Sequence, residues 1–412
     1  MSASIIGPPG RIAVFWYKIR KYSGLLLRLP WWAVLDLWKS NRPRPVWSWG
    51  RSLLVRIVQY GWEIPLRTGQ MLDRDITREV PASECRGTKF LWIDPVPEDL
   101  IQGEINHYAT RASVRSCRIP AYGFGDWGHE GFHARDGEKI VMHFHGGAYV
   151  THSAHPEDIT AGISKGLVKF SAQTISRTLS VEYRLSRSAP WPASSPFPAA
   201  LIDGLSGYYY LTKVLGFKPQ NVVLAGDSAG ANLILALTRY LRDNPQTGLG
   251  LPGGLLLISP WCDLVTTYLN TTSNDVAITS AKNHAANCDY LAGDLDTPHS
   301  TVLYGVRSLL GNIAPHDSRT NAYINPSSLD LDPGFVSTMF DNFPPSYIVY
   351  GDAEVLVDEI RTLYERMVNN IGDKVVKDEV PDGIHDFPAF TFWEPDYSKC
   401  HRRIATWLSS LN

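Results

Sequence analysis

The chain has 412 residues, of which 44% are hydrophobic, and this composition is ordinary for a globular protein that buries a large core. The formal net charge is only −2, and no nucleotide, flavin or nucleic-acid motif is present, so neither a cofactor nor a nucleic-acid partner is expected. Five scattered cysteines without a C-x-x-C pair argue against a zinc site and against a disulfide framework. A reducing compartment such as the cytoplasm is therefore the simpler prediction.

The first 60 residues differ from the rest of the chain in charge and aromatic content. They hold ten Lys or Arg residues against one acid, Asp36, and seven of the 13 tryptophans occur before residue 63. After a break at Arg42-Pro43-Arg44-Pro45, apolar residues follow helical spacing. These residues are Leu53, Leu54, Ile57, Val58 and Trp62. We assign residues 1–110 to a basic, Trp-rich helical arm or cap.

Two hypotheses explain this arm. Trp beside Lys and Arg is what a membrane headgroup region selects, so the arm could contact a membrane peripherally, for example at the endoplasmic reticulum. Alternatively, its helices cap the rest of the chain and bury Trp and Leu over a pocket in it. A membrane span is not predicted, because Arg28, Pro30 and Asp36 interrupt the apolar run at 24–38. A further hypothesis is that the chain forms a homodimer.

From Lys89 onward, apolar runs alternate with helical patterns. Strands are predicted at 89–93, 113–119, 139–144, 181–185, 222–225, 254–258, 345–350 and 374–377. Helices are predicted at 156–170, 197–210, 229–237, 358–369 and 402–411, and the polar segment 266–324 shows no strand pattern. Strands that alternate with long helices predict an α/β fold, in which helices cover both faces of a mostly parallel sheet. We assign residues 111–412 to this catalytic domain and 266–324 to a cap insertion.

The sequence around Ser228 has the pattern of a strand, a sharp turn and a helix. The apolar run 222–225 is followed by Gly-Asp-Ser-Ala-Gly at 226–230, and then by apolar residues on one helical face. In a nucleophile elbow the serine occupies a strained turn, and small residues two positions before and after it let strand and helix pass closely. We therefore predict that Ser228 is a nucleophile and that the Ala229 N–H points at developing negative charge.

Three further candidate residues follow predicted strands, as Ser228 does: His145, Glu354 and His385. The carboxyl ends of parallel strands meet at one edge of a sheet, so these side chains can converge there. His385 is the candidate base for Ser228, and the order nucleophile, acid, histidine is that of α/β-hydrolases. For the acid that orients His385, both Asp352, directly after a strand, and Glu354 are candidates.

These segments together resemble the hormone-sensitive-lipase group of α/β-hydrolases, esterases that also include arylacetamide deacetylase. The resemblance runs from about residue 135 to residue 410, and the basic, Trp-rich arm resembles fungal members of the group. The matching segments, in the family's order, are His145-Gly146-Gly147-Ala148, Tyr183-Arg184-Leu185, Phe197-Pro198-Ala199-Ala200, Gly226-Asp227-Ser228-Ala229-Gly230, Glu354-Val355-Leu356-Val357-Asp358-Glu359 and His385-Asp386-Phe387.

The resemblance implies an α/β-hydrolase fold with a helical cap, and a serine carboxylesterase or deacetylase that acts on a small hydrophobic ester through an acyl-serine intermediate. The family's acid-x-Leu-x-Asp pattern aligns on Glu354, Leu356 and Asp358. This alignment implies that Glu354, and not Asp352, is the catalytic acid, and that Asp358 is structural. A glutamate in place of the more common aspartate can still hold the Nδ1 hydrogen of His385.

The His-Gly-Gly-Ala segment resembles the family's His-Gly-Gly-Gly and implies an oxyanion hole. Its donors would be the backbone amides of Gly146, Gly147 and Ala148 together with that of Ala229, each worth about 3–4 kcal/mol. Ala148 keeps an amide, but its methyl group narrows the acyl side or requires a different backbone angle. His145 is expected to organise this loop rather than to act as a base.

Other functions would use the same residues. Acyl transfer, lactonisation or cyclisation in a biosynthetic pathway would keep the nucleophile and change the acceptor. A ligand-binding protein on this fold, like the gibberellin receptor, has lost the catalytic histidine, and the presence of His385 stands against that hypothesis. No metal is expected at the four neighbouring histidines, because no carboxylate of suitable spacing accompanies them. These histidines are His143, His145, His152 and His155.

Overall fold

A computed structural model of the protein describes residues 10–69, 75–128, 132–264, 288–291 and 300–411. The strands are β1 (Lys89–Ile93), β2 (Ile119–Gly125), β3 (Lys139–Phe144), β4 (Ile175–Val181), β5 (Val222–Asp227), β6 (Gly254–Ile258), β7 (Ser346–Gly351) and β8 (Val375–Val380). The helices are α1 (Arg11–Leu35), α2 (Trp49–Gly61), α3 (Ile64–Thr68), α4 (Gly103–Ala112), α5 (Ala161–Phe170), α6 (Ala199–Tyr209), α7 (Ala229–Asp243), α8 (Thr301–Leu310), α9 (Pro315–Arg319), α10 (Pro333–Val336), α11 (Val357–Ile371) and α12 (Asp396–Ser410).

The strands form one eight-stranded sheet in the order β1-β2-β4-β3-β5-β6-β7-β8. Only the β1–β2 and β2–β4 pairs are antiparallel, and every pair from β4 to β8 is parallel. All residues of β5, β6 and β7 are buried, as expected for strands that helices cover on both faces. The predicted mostly parallel α/β sheet is confirmed.

Two predicted strands are displaced by several residues. The strand predicted at 113–119 lies at Ile119–Gly125, because Ser113 adopts a left-handed conformation that ends α4. The strand predicted at 181–185 lies at Ile175–Val181. Its first half includes Arg177, a residue that is fully buried in the structure because its guanidinium pairs with Glu138 at 2.9 Å. A buried, paired arginine breaks the apolar pattern on which strand prediction depends.

The sheet begins at Lys89, inside the segment 1–110 that the sequence assigned to the arm. β1 pairs with β2 along its whole length, so the helical arm ends before this strand. Of the predicted cap insertion at 266–324, residues 266–287 and 292–299 lie outside the described residues, and the described remainder contains α8 and α9. No described helix is both long enough and apolar enough to cross a membrane.

The helices before residue 69 form a layer at the carboxyl edge of the sheet, which we call the N-terminal layer (α1 to α3). Its connection to the catalytic domain runs through Trp47, which is buried edge-on against Trp393. The indole N–H of Trp47 also donates to the Asp382 carbonyl at 2.9 Å. The tryptophan that follows the Arg-Pro-Arg-Pro break therefore anchors α2 beside the loops that follow β7 and β8.

Candidate active site

Ser228 lies in the sharp turn between β5 and α7. Its φ of +51° and ψ of −115° are strained for a residue with a side chain, and this strain is what a nucleophile elbow requires. A Cβ atom at Gly226 would collide with the backbone of Gly230, and one at Gly230 would collide with the carbonyl of Phe144. The two glycines therefore allow the close passage of strand and helix that was predicted, and the Ser228 hydroxyl faces a cavity.

His385 lines the same cavity, and Glu354 binds it from within the protein interior. The Nδ1 atom of His385 lies 2.8 Å from Glu354 Oε2, and both side chains are buried. Glu354 Oε1 accepts hydrogen bonds from the Ser259 hydroxyl at 3.0 Å and from the Gly351 N–H at 2.7 Å. These donors hold the carboxylate in one orientation, so the imidazole that it binds is also fixed in place.

Asp352, the other candidate acid, points elsewhere. Its Oδ1 accepts from the Asp382 N–H at 2.7 Å, and it lies 3.5 Å from the Arg44 guanidinium. Asp352 thus joins the N-terminal layer to the loop after β8, away from the imidazole. Asp358 lies in the first turn of α11, 3.7 Å from Arg361, where an acidic side chain favours the helix N-terminus.

A second carboxylate, which sequence reasoning did not assign to the site, approaches the other side of His385. Asp386 Oδ2 lies 3.2 Å from His385 Nε2, and Asp386 Oδ1 is buried without a hydrogen-bond partner. Burial raises the pKa of Asp386 to about 7, although the adjacent imidazole opposes that rise. Burial alone would lower the pKa of His385, but Asp386 and Glu354 outweigh it and hold that pKa well above its usual value.

The His-Gly-Gly-Ala loop lies beside Ser228, with one difference from the prediction. The Gly146 N–H donates to Asp227 Oδ2 at 2.8 Å, so it is occupied and is not available to an oxyanion. Asp227 Oδ1 in turn lies 2.9 Å from His143 Nε2, and this pair fixes the loop to β5. Within the described chain, the N–H groups of the other three predicted donors have no acceptor: Gly147, Ala148 and Ala229.

Ala148, which replaces the last glycine of the family segment, has a φ of +52°. This left-handed conformation costs an alanine about 1 kcal/mol relative to glycine. Helix α8 holds the loop in this conformation, because Gly305 of α8 packs closely against Ala148. A Cβ atom on residue 305 would collide with Ala148. The expectation that Ala148 needs an unusual backbone angle is therefore met.

His145 packs behind the loop rather than toward the cavity. Its ring stacks on Tyr183 with centroids 4.4 Å apart, and the Tyr183 hydroxyl donates to the His145 carbonyl at 2.7 Å. Burial lowers the pKa of His145 to about 4, so the ring is neutral at physiological pH. Next to Tyr183, Arg184 pairs with buried Asp203 at 2.7 Å. These motif residues support the site from behind.

The four neighbouring histidines point in different directions. His143 pairs with Asp227, His145 stacks on Tyr183, His152 lies 3.2 Å from Asp158, and His155 packs edge-on against Tyr122. In the part of the chain that the structure describes, no three His, Cys, Asp or Glu side chains are grouped so as to bind a metal ion.

The cavity above Ser228 and His385 has a volume of about 220 Å³, which is below the usual range of about 300–1,000 Å³ for ligand sites. One wall contains Ser228, His385, Asp386 and the loop that carries Ala148. The opposite wall is almost entirely apolar and comes largely from α2 and from the loop after β8. Its members include Leu54, Val55, Val58, Trp62, Ile384, Phe390 and Phe392.

The segment 288–291 connects the apolar wall of the cavity to His385 and to the loop that carries Glu354. Tyr290 lies 4.9 Å from Trp62 and 6.0 Å from His385, measured between ring centroids. The Gln59 side chain of α2 donates to the Asp289 carbonyl at 2.6 Å, and Asp289 Oδ2 accepts from the Val355 N–H at 3.0 Å. The predicted cap over a pocket thus has direct contacts to the loop that carries Glu354.

The chain is similar in sequence to known proteins. The family Abhydrolase_3, which has the alpha/beta hydrolase fold, matches residues 141–389. An esterase from Acinetobacter venetianus is 27% identical over 280 residues, which cover 66% of this chain and 76% of the esterase. The human arylacetamide deacetylase-like 2 is 25% identical over 300 residues, which cover 65% of this chain and 71% of that protein.

A solved structure supports the same assignment. The crystal structure of a hormone-sensitive lipase from a metagenome library is 26% identical, with a TM-score of 0.53 over 71% of this chain and 82% of that one. The resemblance seen in the motifs is confirmed at the level of the family, and the similarity to fungal members stays a prediction. Because the family match spans more than half of the sequence, the chain belongs to the Abhydrolase_3 family of the α/β-hydrolase fold.

Proposed function

We propose that this protein is a serine ester hydrolase in which Ser228 is the nucleophile, His385 the general base and Glu354 the acid that orients it. The observation that carries the assignment is the 2.8 Å contact between His385 Nδ1 and Glu354 Oε2, with His385 lining the same cavity as Ser228. Relatives named as esterases and as a deacetylase-like protein support hydrolysis of esters as the activity.

The reaction follows from the positions of these groups. His385 Nε2 takes the proton of the Ser228 hydroxyl as the Oγ atom attacks the ester carbonyl carbon. The negative charge that forms on the carbonyl oxygen is stabilised by the free N–H groups of Gly147, Ala148 and Ala229. His385 then gives its proton to the departing alcohol, and an acyl group remains on Ser228. A water molecule that His385 deprotonates attacks this acyl-enzyme and releases the acid.

The cavity favours an uncharged, apolar ester of modest size. Its α2 wall offers only aliphatic and aromatic surface, and the buried carboxylate of Asp386 disfavours a substrate with negative charge next to the ester. Acyl transfer, lactonisation and cyclisation would use the same nucleophile, but no feature of the described cavity favours them over hydrolysis. The ligand-binding alternative is disfavoured, since His385 is present and bound to Glu354.

The test is hydrolysis of a short and a long p-nitrophenyl ester by the wild type and by Ser228→Ala. We expect turnover by the wild type and its loss, by about 10⁴-fold or more, in the variant. A ratio of rates that favours the short ester would agree with the small cavity. A folded wild type that turns over neither ester, or a Ser228→Ala variant that retains full activity, would refute the proposal.

A further inference from the structure

The face of α1 that points away from the protein is apolar. None of the 25 residues of α1 is buried, and its outward side chains are unusually exposed for their type, with Ile12 at 77% and Leu27 at 79%. Apolar patches of this extent on a folded chain mark interaction sites. The exposed large apolar side chains of α1 are Ile12, Phe15, Trp16, Ile19, Tyr22, Leu26, Leu27, Trp31 and Val34.

The face of α1 that points toward the protein mixes polar, small and apolar side chains, and Leu25, Leu29 and Trp32 are half-buried there. Gly24 lies under the Tyr60 hydroxyl, with no room for a Cβ atom. Lys21 pairs with Glu63 at 2.6 Å and donates to the Tyr60 carbonyl at 3.2 Å. Trp32 meets the Tyr60 ring edge-on. An ordinary surface helix keeps its apolar residues on the side facing the core, whereas α1 is also apolar on the side facing water.

Cations border the apolar face on both sides. At about 100° of rotation per residue, Ile12 and Ile19 fall close to one line along the middle of the exposed surface. Arg11 and Lys18 then lie about 100° to one side of that line, and Arg20 about 100° to the other. No acidic residue occurs in α1, and none of these three cations pairs with a carboxylate in the described part of the chain.

We propose that α1 binds in the plane of an anionic bilayer surface, with its apolar face at the boundary between headgroups and acyl chains and its bordering cations at the lipid phosphates. A wide apolar face with Trp, flanked by Lys and Arg, is the pattern of an interfacial helix. A second copy of this chain fits the face less well, because the same surface offers no acid to complement its own cations.

The position of α2 links this surface to the site, and this step rests on the proposed ester hydrolysis. α2 lies between α1 and the cavity: Trp49 donates to the Ala33 carbonyl at 2.8 Å, while Leu54 and Val58 line the cavity. Phe392 is both a lining residue and 51% exposed. A bilayer bound by α1 would therefore hold the cavity close to a reservoir of apolar esters dissolved in the membrane.

Flotation of the full chain with vesicles tests the proposal. We expect the wild type to float with vesicles of phosphatidylcholine and phosphatidylserine, and less with phosphatidylcholine alone. Replacing Trp16, Ile19 and Leu26 by Gln should weaken binding by about 100-fold, because three large apolar side chains leave the interface. The matched control replaces Leu329 and Phe335, exposed apolar residues outside α1, by Gln and should bind as the wild type does.

Two further measurements separate the outcomes. Hydrolysis of a water-soluble p-nitrophenyl ester should be equal in the α1 variant and the wild type, which also shows that the variant folds. Ser228→Ala should float as the wild type does, so loss of the enzymatic function would leave vesicle binding intact. Flotation of the α1 variant at the wild-type level would overturn the proposal. So would a wild type that stays off vesicles and forms a dimer that the α1 variant dissociates.

Discussion

The α/β core and the N-terminal layer differ in whether their apolar side chains are buried or exposed. In the core, β5, β6 and β7 are buried throughout, and the buried carboxylate of Asp203 is paired with Arg184. In the layer, α1 buries no residue and exposes nine large apolar side chains. The core therefore follows the rule that apolar side chains are buried away from water. The layer departs from this rule, because α1 leaves such side chains exposed.

Next to His385, the two regions meet at the segment 288–291. Tyr290 lies between Trp62 of the layer and His385 of the core, and Asp289 joins Gln59 to the Val355 N–H. Apart from these contacts, the catalytic side chains are held by core residues such as Ser259. Changes in the core should therefore alter the chemical step, whereas changes in the layer should alter which substrate is accepted.

The largest effect is expected in the core, from Glu354→Gln. The amide would orient His385 poorly and could not stabilise its protonated form, so kcat should fall by about 10⁴-fold. The control is Asp352→Asn, which removes a carboxylate two residues away that contacts Asp382 and Arg44 but not the imidazole. Steady-state kinetics with a soluble p-nitrophenyl ester compares the two. A severe loss in Asp352→Asn with a mild one in Glu354→Gln would reverse the assignment.

A smaller effect, on selectivity, is expected in the layer from Trp62→Ala. Trp62 lines the cavity and stacks near Tyr290, so its removal should cost a long apolar ester about 2 kcal/mol of binding, or about 30-fold in kcat/KM. A short ester, which does not reach this wall, should be hydrolysed at nearly the wild-type rate. Trp49→Ala, a change in α2 outside the cavity lining, is the control and should alter neither substrate. Equal losses for both esters in Trp62→Ala would contradict the division between the regions.

Local patterns in the sequence were enough to predict the core of the site. The strand, turn and helix around Ser228 occupy consecutive residues, so the elbow could be identified without knowing the rest of the fold. Glu354 and His385 also follow strands, and parallel strands bring their carboxyl ends to one edge regardless of loop details. The structure places Ser228 and His385 in the lining of one cavity, and Glu354 lies 2.8 Å from His385 Nδ1.

What the sequence could not show depends on contacts between distant residues. The Gly146 amide looked like a free donor, but its acceptor Asp227 lies 81 residues away. β4 was displaced because burial of Arg177 depends on Glu138. The outward apolar face of α1 could be suspected from its composition, but only packing shows that Tyr60 and Glu63 occupy the opposite face.

Asp386 is the residue near the reacting groups whose contact the sequence did not reveal. Its substitution gives the smallest of the predicted effects. It was part of the recognised His-Asp-Phe segment, yet only the structure shows its carboxylate 3.2 Å from His385 Nε2, the nitrogen that must accept the Ser228 proton. The free enzyme needs neutral His385, so a raised pKa of the imidazole moves the acid limb of the pH–rate profile upward. Glu354 faces the other nitrogen and stays in place in the variant considered next.

Asp386→Asn removes one of the two adjacent negative charges, so the pKa of His385 should fall and the acid limb of kcat/KM should move down by about one pH unit. On that limb the variant should be about tenfold faster than the wild type, and at alkaline pH, where His385 is neutral in both, the rates should converge. Asp382→Asn is the matched control, because Asp382 lies in the same loop but pairs with Arg44 at 3.7 Å, so its profile should stay that of the wild type. An acid limb unmoved in Asp386→Asn would mean that Asp386 does not hold the proton on His385, and Glu354 alone would then set the pH dependence of the enzyme.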